Sequence, residues 1–368
     1  MRRFGAVVLG MFLMLGAIGV APAAASHESS KPSPAATGPY AVGRTTFDVV
    51  DPARGGRTFK IDVWYPSRPK DVVGKPKSVI DLLLAQTPSP LAYDNPTVAP
   101  GRFPLVVFSH GSGGIRFQRW FLMEHLASHG FIVAAPDHTG NTAVDAIFGS
   151  STPFAVTARN RPLDVSLVIT RMLERGQTEA DAFDHHLLRR KIAVMGHSFG
   201  GFTAVAAAAG WADVAPDARV KAIIPIAAAT NSFTDAQLSA ITVPSLWLHG
   251  TNDITVPIAQ TARAWSLQTV SPRYRVDIQK AGHSSFTNVC DILDVFRTAN
   301  APAGILDFLK QQSAEACGPD LIPIADAQAI TNATTLAFLE VRLLHDDSFQ
   351  RYLRHGYLKR FPVDFSRG

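Results

Sequence analysis

The chain has 368 residues, of which 46% are hydrophobic and 18% charged, with 35 basic and 30 acidic residues and a formal charge of +5. That mild basic excess, without a dense basic stripe interleaved with aromatics, excludes nucleic acid as an expected partner. After the N-terminal segment no stretch is long and apolar enough to cross a bilayer.

Residues 1–25 read as a secretory leader. Arg2 and Arg3 make a basic start, residues 4–20 form an uncharged apolar run, and Ala21-Pro22-Ala23 or Ala23-Ala24-Ala25 offers a small-residue cleavage site. A retained membrane anchor is the competing reading, but the run is at the short edge for spanning. Residues 26–39, rich in Ser, Pro and Ala, read as a flexible lead-in. A single folded domain is expected over 40–368, with loop insertions near 66–104 and 139–160.

Residues 58–65 alternate in the manner of an edge strand. The Pro-rich stretch 66–104 reads as irregular, with one short helix at 79–86. Residues 105–108 form a buried strand, and 119–129 have helical spacing that Gly130 stops. The strand 131–135 ends at Pro136. A Gly/Ser/Thr-rich loop covers 139–153, and a helix covers 163–174. The strand 191–195 precedes Gly196-His197-Ser198-Phe199-Gly200, and small, helix-tolerant residues follow from 201 to 209. Further strands are expected at 220–226, 245–249 and 274–278, and late helices at 292–309 and 326–344. Short apolar strands alternating with helices predict an α/β fold, with a mostly parallel sheet covered on both faces.

The G-x-S-x-G stretch sets Ser198 on a sharp strand-to-helix turn, with its hydroxyl raised from the sheet. A serine hydroxyl is a poor nucleophile at neutral pH and needs a base, usually a histidine oriented by a carboxylate. In an open α/β sheet those groups come from loops at the carboxyl ends of later strands. Asp253 lies in the loop Gly250-Thr251-Asn252-Asp253, and His283 follows the last expected strand. The chain order Ser198, Asp253, His283 makes them the candidate catalytic residues. Asp235 is the alternative acid, in a longer and less defined loop. His110-Gly111-Ser112-Gly113-Gly114 follows the strand at 105–108, and the backbone N–H groups of Ser112 and Phe199 are the candidate oxyanion donors.

Other signals are weaker. His185 and His186 beside Asp184 suggest either a metal site without a third ligand or a solvated helix end. Asp137 and His138 lie after a strand end and either edge the pocket or cap a turn. Phe117, Trp120 and Phe121 read as core. The two cysteines, Cys290 and Cys317, are expected to form a disulfide in an exported protein, with two free thiols as the alternative.

Three blocks carry a family likeness: Phe108-Ser109-His110-Gly111-Ser112-Gly113-Gly114, the run from Ala127-Ser128-His129-Gly130 through Ala135, and Gly196-His197-Ser198-Phe199-Gly200-Gly201. Over roughly residues 40–298 the chain resembles the α/β-hydrolases, and more narrowly their platelet-activating-factor acetylhydrolase and dienelactone-hydrolase-like group. The resemblance implies an α/β-hydrolase fold and a secreted or periplasmic serine esterase that needs no cofactor. There are two departures. Dienelactone hydrolases use a cysteine nucleophile where this chain has Ser198. The acetylhydrolases place their acid after the strand following the elbow, where Ala227-Ala228-Ala229-Thr230-Asn231 has no carboxylate, so the acid is carried to Asp253.

The expected function is hydrolysis of carboxylic esters, of short-chain or lipid-type acyl groups, through an acyl-enzyme. A lipase- or cutinase-like polyester hydrolase, a serine peptidase and a non-catalytic binding protein on the same scaffold are the alternatives. The expected partner is a small-molecule, lipid or polymer ester, with transient contact with a lipid or polymer surface, and the default oligomeric state is a monomer.

Overall fold

The computed structural model describes residues 33–368; the expected leader, and residues 26–32 of the expected lead-in, lie outside the described residues. The strands are β1 (Ala41–Asp51), β2 (Arg57–Ser67), β3 (Lys77–Asp81), β4 (Gln86–Asp94), β5 (Phe103–Ser109), β6 (Ile132–Pro136), β7 (Leu187–His197), β8 (Ala222–Ile226), β9 (Ser245–Gly250), β10 (Arg273–Ile278) and β11 (Val363–Arg367). They form one sheet in the order β11-β10-β9-β8-β7-β5-β6-β2-β1-β4-β3. From β6 through β5, β7, β8 and β9 to β10 all neighbours run parallel, so both faces of this stretch need helices.

The helices supply that cover. They are α1 (Trp120–Ser128), α2 (Ala143–Ile147), α3 (Phe154–Arg175), α4 (Phe199–Ala209), α5 (Asp235–Ser239), α6 (Ala259–Leu267), α7 (Val289–Thr298), α8 (Ala303–Ser313), α9 (Ile324–Leu339) and α10 (His355–Leu358). Successive strand residues point to opposite faces, which divides the core in two. Val106, Phe108 and Met195 pack with Leu122, Leu126, Phe296 and Phe338 of α1, α7 and α9. Leu105, Val107 and Val194 pack with Val165, Ile169 and Val205 of α3 and α4. The parallel strands are therefore apolar runs, because neither face meets water.

Several expectations are corrected. Strand β2 is interior, paired with β6 on one side and β1 on the other; its alternation comes from a half-polar environment, not from an edge. Residues 79–86 are not a helix. The β-branched Val79-Ile80 lies in β3, and the turn at Leu83, φ 71°, sends the chain into β4. The stretch 66–104 is thus largely a sheet extension. The loop 139–153 contains α2, started by a capping box between Thr142 and Asp145. Helix α3 begins nine residues earlier than expected and carries Pro162 inside it. The helix expected over 292–309 is two, α7 and α8, separated at Pro302. Ser33 to Pro39 is tied to the end of α1, where Gly38 N donates to Ser128 Oγ at 2.9 Å and His125 Nε2 to Pro34 O at 3.0 Å.

Candidate active site

The nucleophile position is made by close backbone approach. Strand β7 ends at His197, Ser198 takes φ 56° and ψ −117°, and α4 starts at Phe199. A non-glycine residue in that region of backbone space is strained by about 1–3 kcal/mol and persists only where its surroundings enforce it. Here Ser198 N donates to Ile226 O at 2.9 Å, and Ser198 O accepts from Phe202 N at 3.0 Å. A Cβ at Gly196 would lie 2.1 Å from Gly200 O, and one at Gly200 would lie 1.9 Å from Ser109 O. No other residue fits either position. Ser198 itself is half-buried, and its hydroxyl makes no hydrogen bond among the described residues.

Asp253 and His283 meet across the ends of β9 and β10. His283 Nδ1 donates to Asp253 Oδ2 at 2.8 Å, while Asp253 Oδ1 accepts from Val256 N at 2.7 Å. In the neutral imidazole this bond selects the tautomer with its proton on Nδ1, which leaves Nε2 as the acceptor a general base uses. Both residues are buried, each 8% exposed.

His197, the residue before the serine, ties the nucleophile strand to the base. Its Nε2 donates to His283 O at 2.9 Å, and the two rings lie 4.6 Å apart. Burial, helped by the nearby Arg119 guanidinium, holds His197 well below the ordinary histidine range, so it stays neutral. The pair Asp253–His283 is thereby placed beside the elbow. No hydrogen bond joins Ser198 Oγ to His283 among the described residues, a contact that often tightens only when substrate binds.

The acid and base loops are also clamped to each other. Glu315, two residues before Cys317, accepts from Ile254 N at 2.9 Å, Thr255 Oγ1 at 2.5 Å and His283 N at 3.3 Å. Cys290 and Cys317 form a disulfide that joins α7 to this segment. His249 Nε2 lies 3.3 Å from Asp253 Oδ2, the same oxygen that His283 bonds. Neither Glu315 nor His249 carried a motif that could have singled it out; each acts through contacts made only in three dimensions.

On the other side of Ser198 lies the glycine-rich loop. Phe199 is the first residue of α4, so its N–H has no acceptor within the helix. Ser112 N likewise has no acceptor among the described residues. A Cβ at Gly111 would lie 3.5 Å from Ser198 Cβ, which sets this loop against the nucleophile. Asn141 Nδ2 donates to Ser112 Oγ at 3.2 Å, and Ala143 N to Gly114 O at 2.9 Å. Helix α2 is thus attached to the loop; it carries the exposed Val144 and Ile147, and the exposed Phe148 caps its end. Phe154, 54% exposed, stacks on the Phe199 ring with 5.3 Å between centroids.

The weaker candidates fall elsewhere. Asp137 pairs with Arg116 at 2.7 Å, and Asp235 is exposed and pairs with Arg263. Asp184 and His185 stand 3.6 Å apart at the surface. Phe117 and Trp120 are core. His138 is fully buried, and its Nδ1 bonds Asp164 Oδ2 at 2.9 Å while its Nε2 bonds Ser109 Oγ at 2.9 Å.

Comparison with known proteins gives a consistent neighbourhood. The family model described as platelet-activating factor acetylhydrolase, isoform II, matches residues 70–166, a stretch that holds the glycine-rich loop and stops before Ser198. The platelet-activating factor acetylhydrolase of Cavia porcellus is 25% identical over 228 residues, which are 47% of this chain and 51% of that protein. The Canis lupus familiaris protein of the same name is 25% identical over 283 residues, 62% of each chain. This chain therefore spans about half to three-fifths of the length of these curated relatives. Among solved structures, a ferulic acid esterase from Streptomyces cinnamoneus aligns with a TM-score of 0.66 and 26% identity, over 88% of this chain and 96% of that one.

Proposed function

Because this chain is an α/β-hydrolase resembling the platelet-activating-factor acetylhydrolase group of serine esterases, we propose that it is a carboxylic-ester hydrolase working through an acyl-enzyme. Ser198 Oγ attacks the ester carbonyl while His283 Nε2 takes its proton. Asp253 holds the imidazole tautomer and stabilises the imidazolium that forms. The N–H groups of Ser112 and Phe199 receive the oxyanion. Collapse of the tetrahedral intermediate releases the alcohol with the proton held on His283. His283 then activates water to free the acid and regenerate Ser198.

One observation carries this reading: a strained, half-exposed serine with a free hydroxyl follows His197, which bonds the backbone of a histidine whose Nδ1 is 2.8 Å from a buried aspartate. The exposed apolar side chains of α2, with Phe154, support an ester with an apolar group over a charged one. The same rim favours a second reading, action on an ester held in a lipid or polymer surface. The leader-like N-terminus and the disulfide support export, and among the described residues no helix is long and apolar enough to cross a membrane.

A fluorophosphonate probe tests the chemistry. Labelling is expected to map to Ser198, and absence of labelling on folded protein overturns the proposal. A p-nitrophenyl ester series from acetate to palmitate, run beside a phospholipid and a polyester film, separates the substrate readings. Falling turnover with chain length would remove the apolar rim from the argument.

A further inference from the structure

The glycine-rich loop is held from behind by a charged side chain that the reaction scheme does not use. Arg161 lies in α3, is fully buried, and turns its guanidinium to the loop. Its Nη1 donates to His110 O at 2.7 Å, and its Nη2 to Gly111 O at 3.1 Å. Gly111 O accepts two further hydrogen bonds, from His110 Nδ1 at 2.7 Å and Gly114 N at 3.2 Å. His110 is itself oriented, because its Nε2 accepts from His138 N at 3.1 Å, which leaves the ring proton on Nδ1.

The carbonyl of Gly111 and the N–H of Ser112 belong to one peptide unit. That unit is planar and trans, so its oxygen and its hydrogen point in opposite directions. Three donors on the oxygen therefore fix where the hydrogen points. Charge on one of those donors also polarises the amide and makes its N–H a better donor in a water-poor setting. The same guanidinium lies 4.6 Å from the centre of the Phe199 ring, so one side chain touches both the peptide unit that carries the Ser112 N–H and the ring of Phe199. We infer that Arg161 is a positioning residue that aims the Ser112 N–H at the oxyanion; the inference rests on the serine-esterase reading above.

A purely structural cation would be expected to seek a carboxylate. The nearest in sequence, Asp164, is occupied by others: Arg57 holds it with two hydrogen bonds, at 2.9 and 2.8 Å, Arg54 at 2.7 Å and His138 at 2.9 Å. Arg161 instead directs its donors to loop carbonyls, at a desolvation cost that pulls its pKa down to about 9. An apolar side chain of similar volume would fill the site without that cost.

The test compares the parent with Arg161→Met and Arg161→Lys. Active sites are titrated with a fluorophosphonate, kcat and KM are measured per titrated site, and the affinity of an alkyl boronic acid, which forms a tetrahedral adduct on serine, is measured beside them. In Arg161→Met, kcat per titrated site should fall about 10- to 100-fold, less than or equal to the loss of a whole oxyanion donor. KM should move less than about threefold, and boronate affinity should drop with kcat/KM, since both report tetrahedral binding. Arg161→Lys keeps one donor and should lie between the two. If Arg161→Met does not fold, Arg161→Lys alone decides. A lower titratable fraction or Tm, with kcat per site and boronate affinity within twofold of the parent, overturns the inference and leaves the esterase reading intact. A parent that fluorophosphonate does not label overturns that reading, and this inference with it.

Discussion

Two serine–histidine–aspartate sets stand on the same sheet; they share a histidine Nδ1–aspartate bond and differ in how the serine is held. In one, Ser109 Oγ, His138 and Asp164 are linked by hydrogen bonds of 2.9 Å, and none of the three is exposed. Arg54 and Arg57 both pair with Asp164; against burial, the hydrogen bonds from His138 and Arg57 hold its carboxyl below the ordinary range, while burial pulls His138 down to about 4. In the other, Asp253 and His283 are bonded, but Ser198 is half-exposed, strained in φ and free at its hydroxyl. A complete hydrogen-bond chain therefore does not mark a nucleophile. A serine whose oxygen is already bonded and sealed from solvent is a strut; one with access and an unoccupied hydroxyl can attack.

The sharpest way to break this comparison is to remove each serine. Ser198→Ala should cut kcat/KM by about 10⁴- to 10⁶-fold, the scale of losing a triad nucleophile, with an unchanged circular dichroism spectrum. Ser109→Ala should still be labelled by fluorophosphonate at position 198 and lose about 1–3 kcal/mol in urea unfolding, because His138 Nε2 is left without its partner. Labelling that vanishes in Ser109→Ala instead would reverse the two assignments.

The acids divide in the same way. Asp253→Asn should lower kcat by about 10³- to 10⁴-fold in steady-state kinetics, by favouring the wrong imidazole tautomer. Asp164→Asn should act on stability, costing about 3–5 kcal/mol by denaturant titration, since it leaves the guanidinium groups of Arg54 and Arg57 uncompensated. Equal stability losses in the two variants would erase the distinction.

The most gradual effect is on pH. His110, His138 and His197 are fully buried and held below the ordinary value of 6.5, His138 to about 4, and His125 is held to about 3. Below pH 6.5 the unfolded chain binds protons that these folded histidines refuse, so stability falls as the pH drops from 6.5 toward 4. Glu124, pushed up to about 7 by burial, works the other way between 4.5 and 7, because it binds a proton on folding. His129 and His249 are lowered by burial as well, and burial raises Asp137 and Asp277 beside Glu124; with six histidines against three carboxyls, urea unfolding at pH 7, 6 and 5 should show a net loss of about 1.4 kcal/mol or more per pH unit. A flat profile would mean that these histidines meet water.

What could be read beforehand follows the physics of burial. The strands at 105–108, 131–135, 191–195, 220–226, 245–249 and 274–278 stand out because parallel strands covered on both faces are continuous apolar runs. Strands β1, β3 and β4 escaped notice because water reaches one of their faces and prolines interrupt β4. The early start of α3 was hidden by Pro162, which reads as a break. Arg161, His138, Asp164 and Glu315 were not legible as a supporting frame, since each works on residues distant in the chain: 50 positions separate Arg161 from Gly111, and 32 separate Glu315 from His283.

The sequence by itself determined the α/β architecture, the strand–turn–helix around Ser198 and the chain order in which Asp253 and His283 follow it, because these depend on local pattern and on glycines that short backbone distances demand. Only the tertiary structure decided which of two serine–histidine–aspartate sets is open and which is sealed, and which arginine grips the glycine-rich loop. Those outcomes depend on solvent access and on contacts between distant segments, and neither is written in any local stretch of residues.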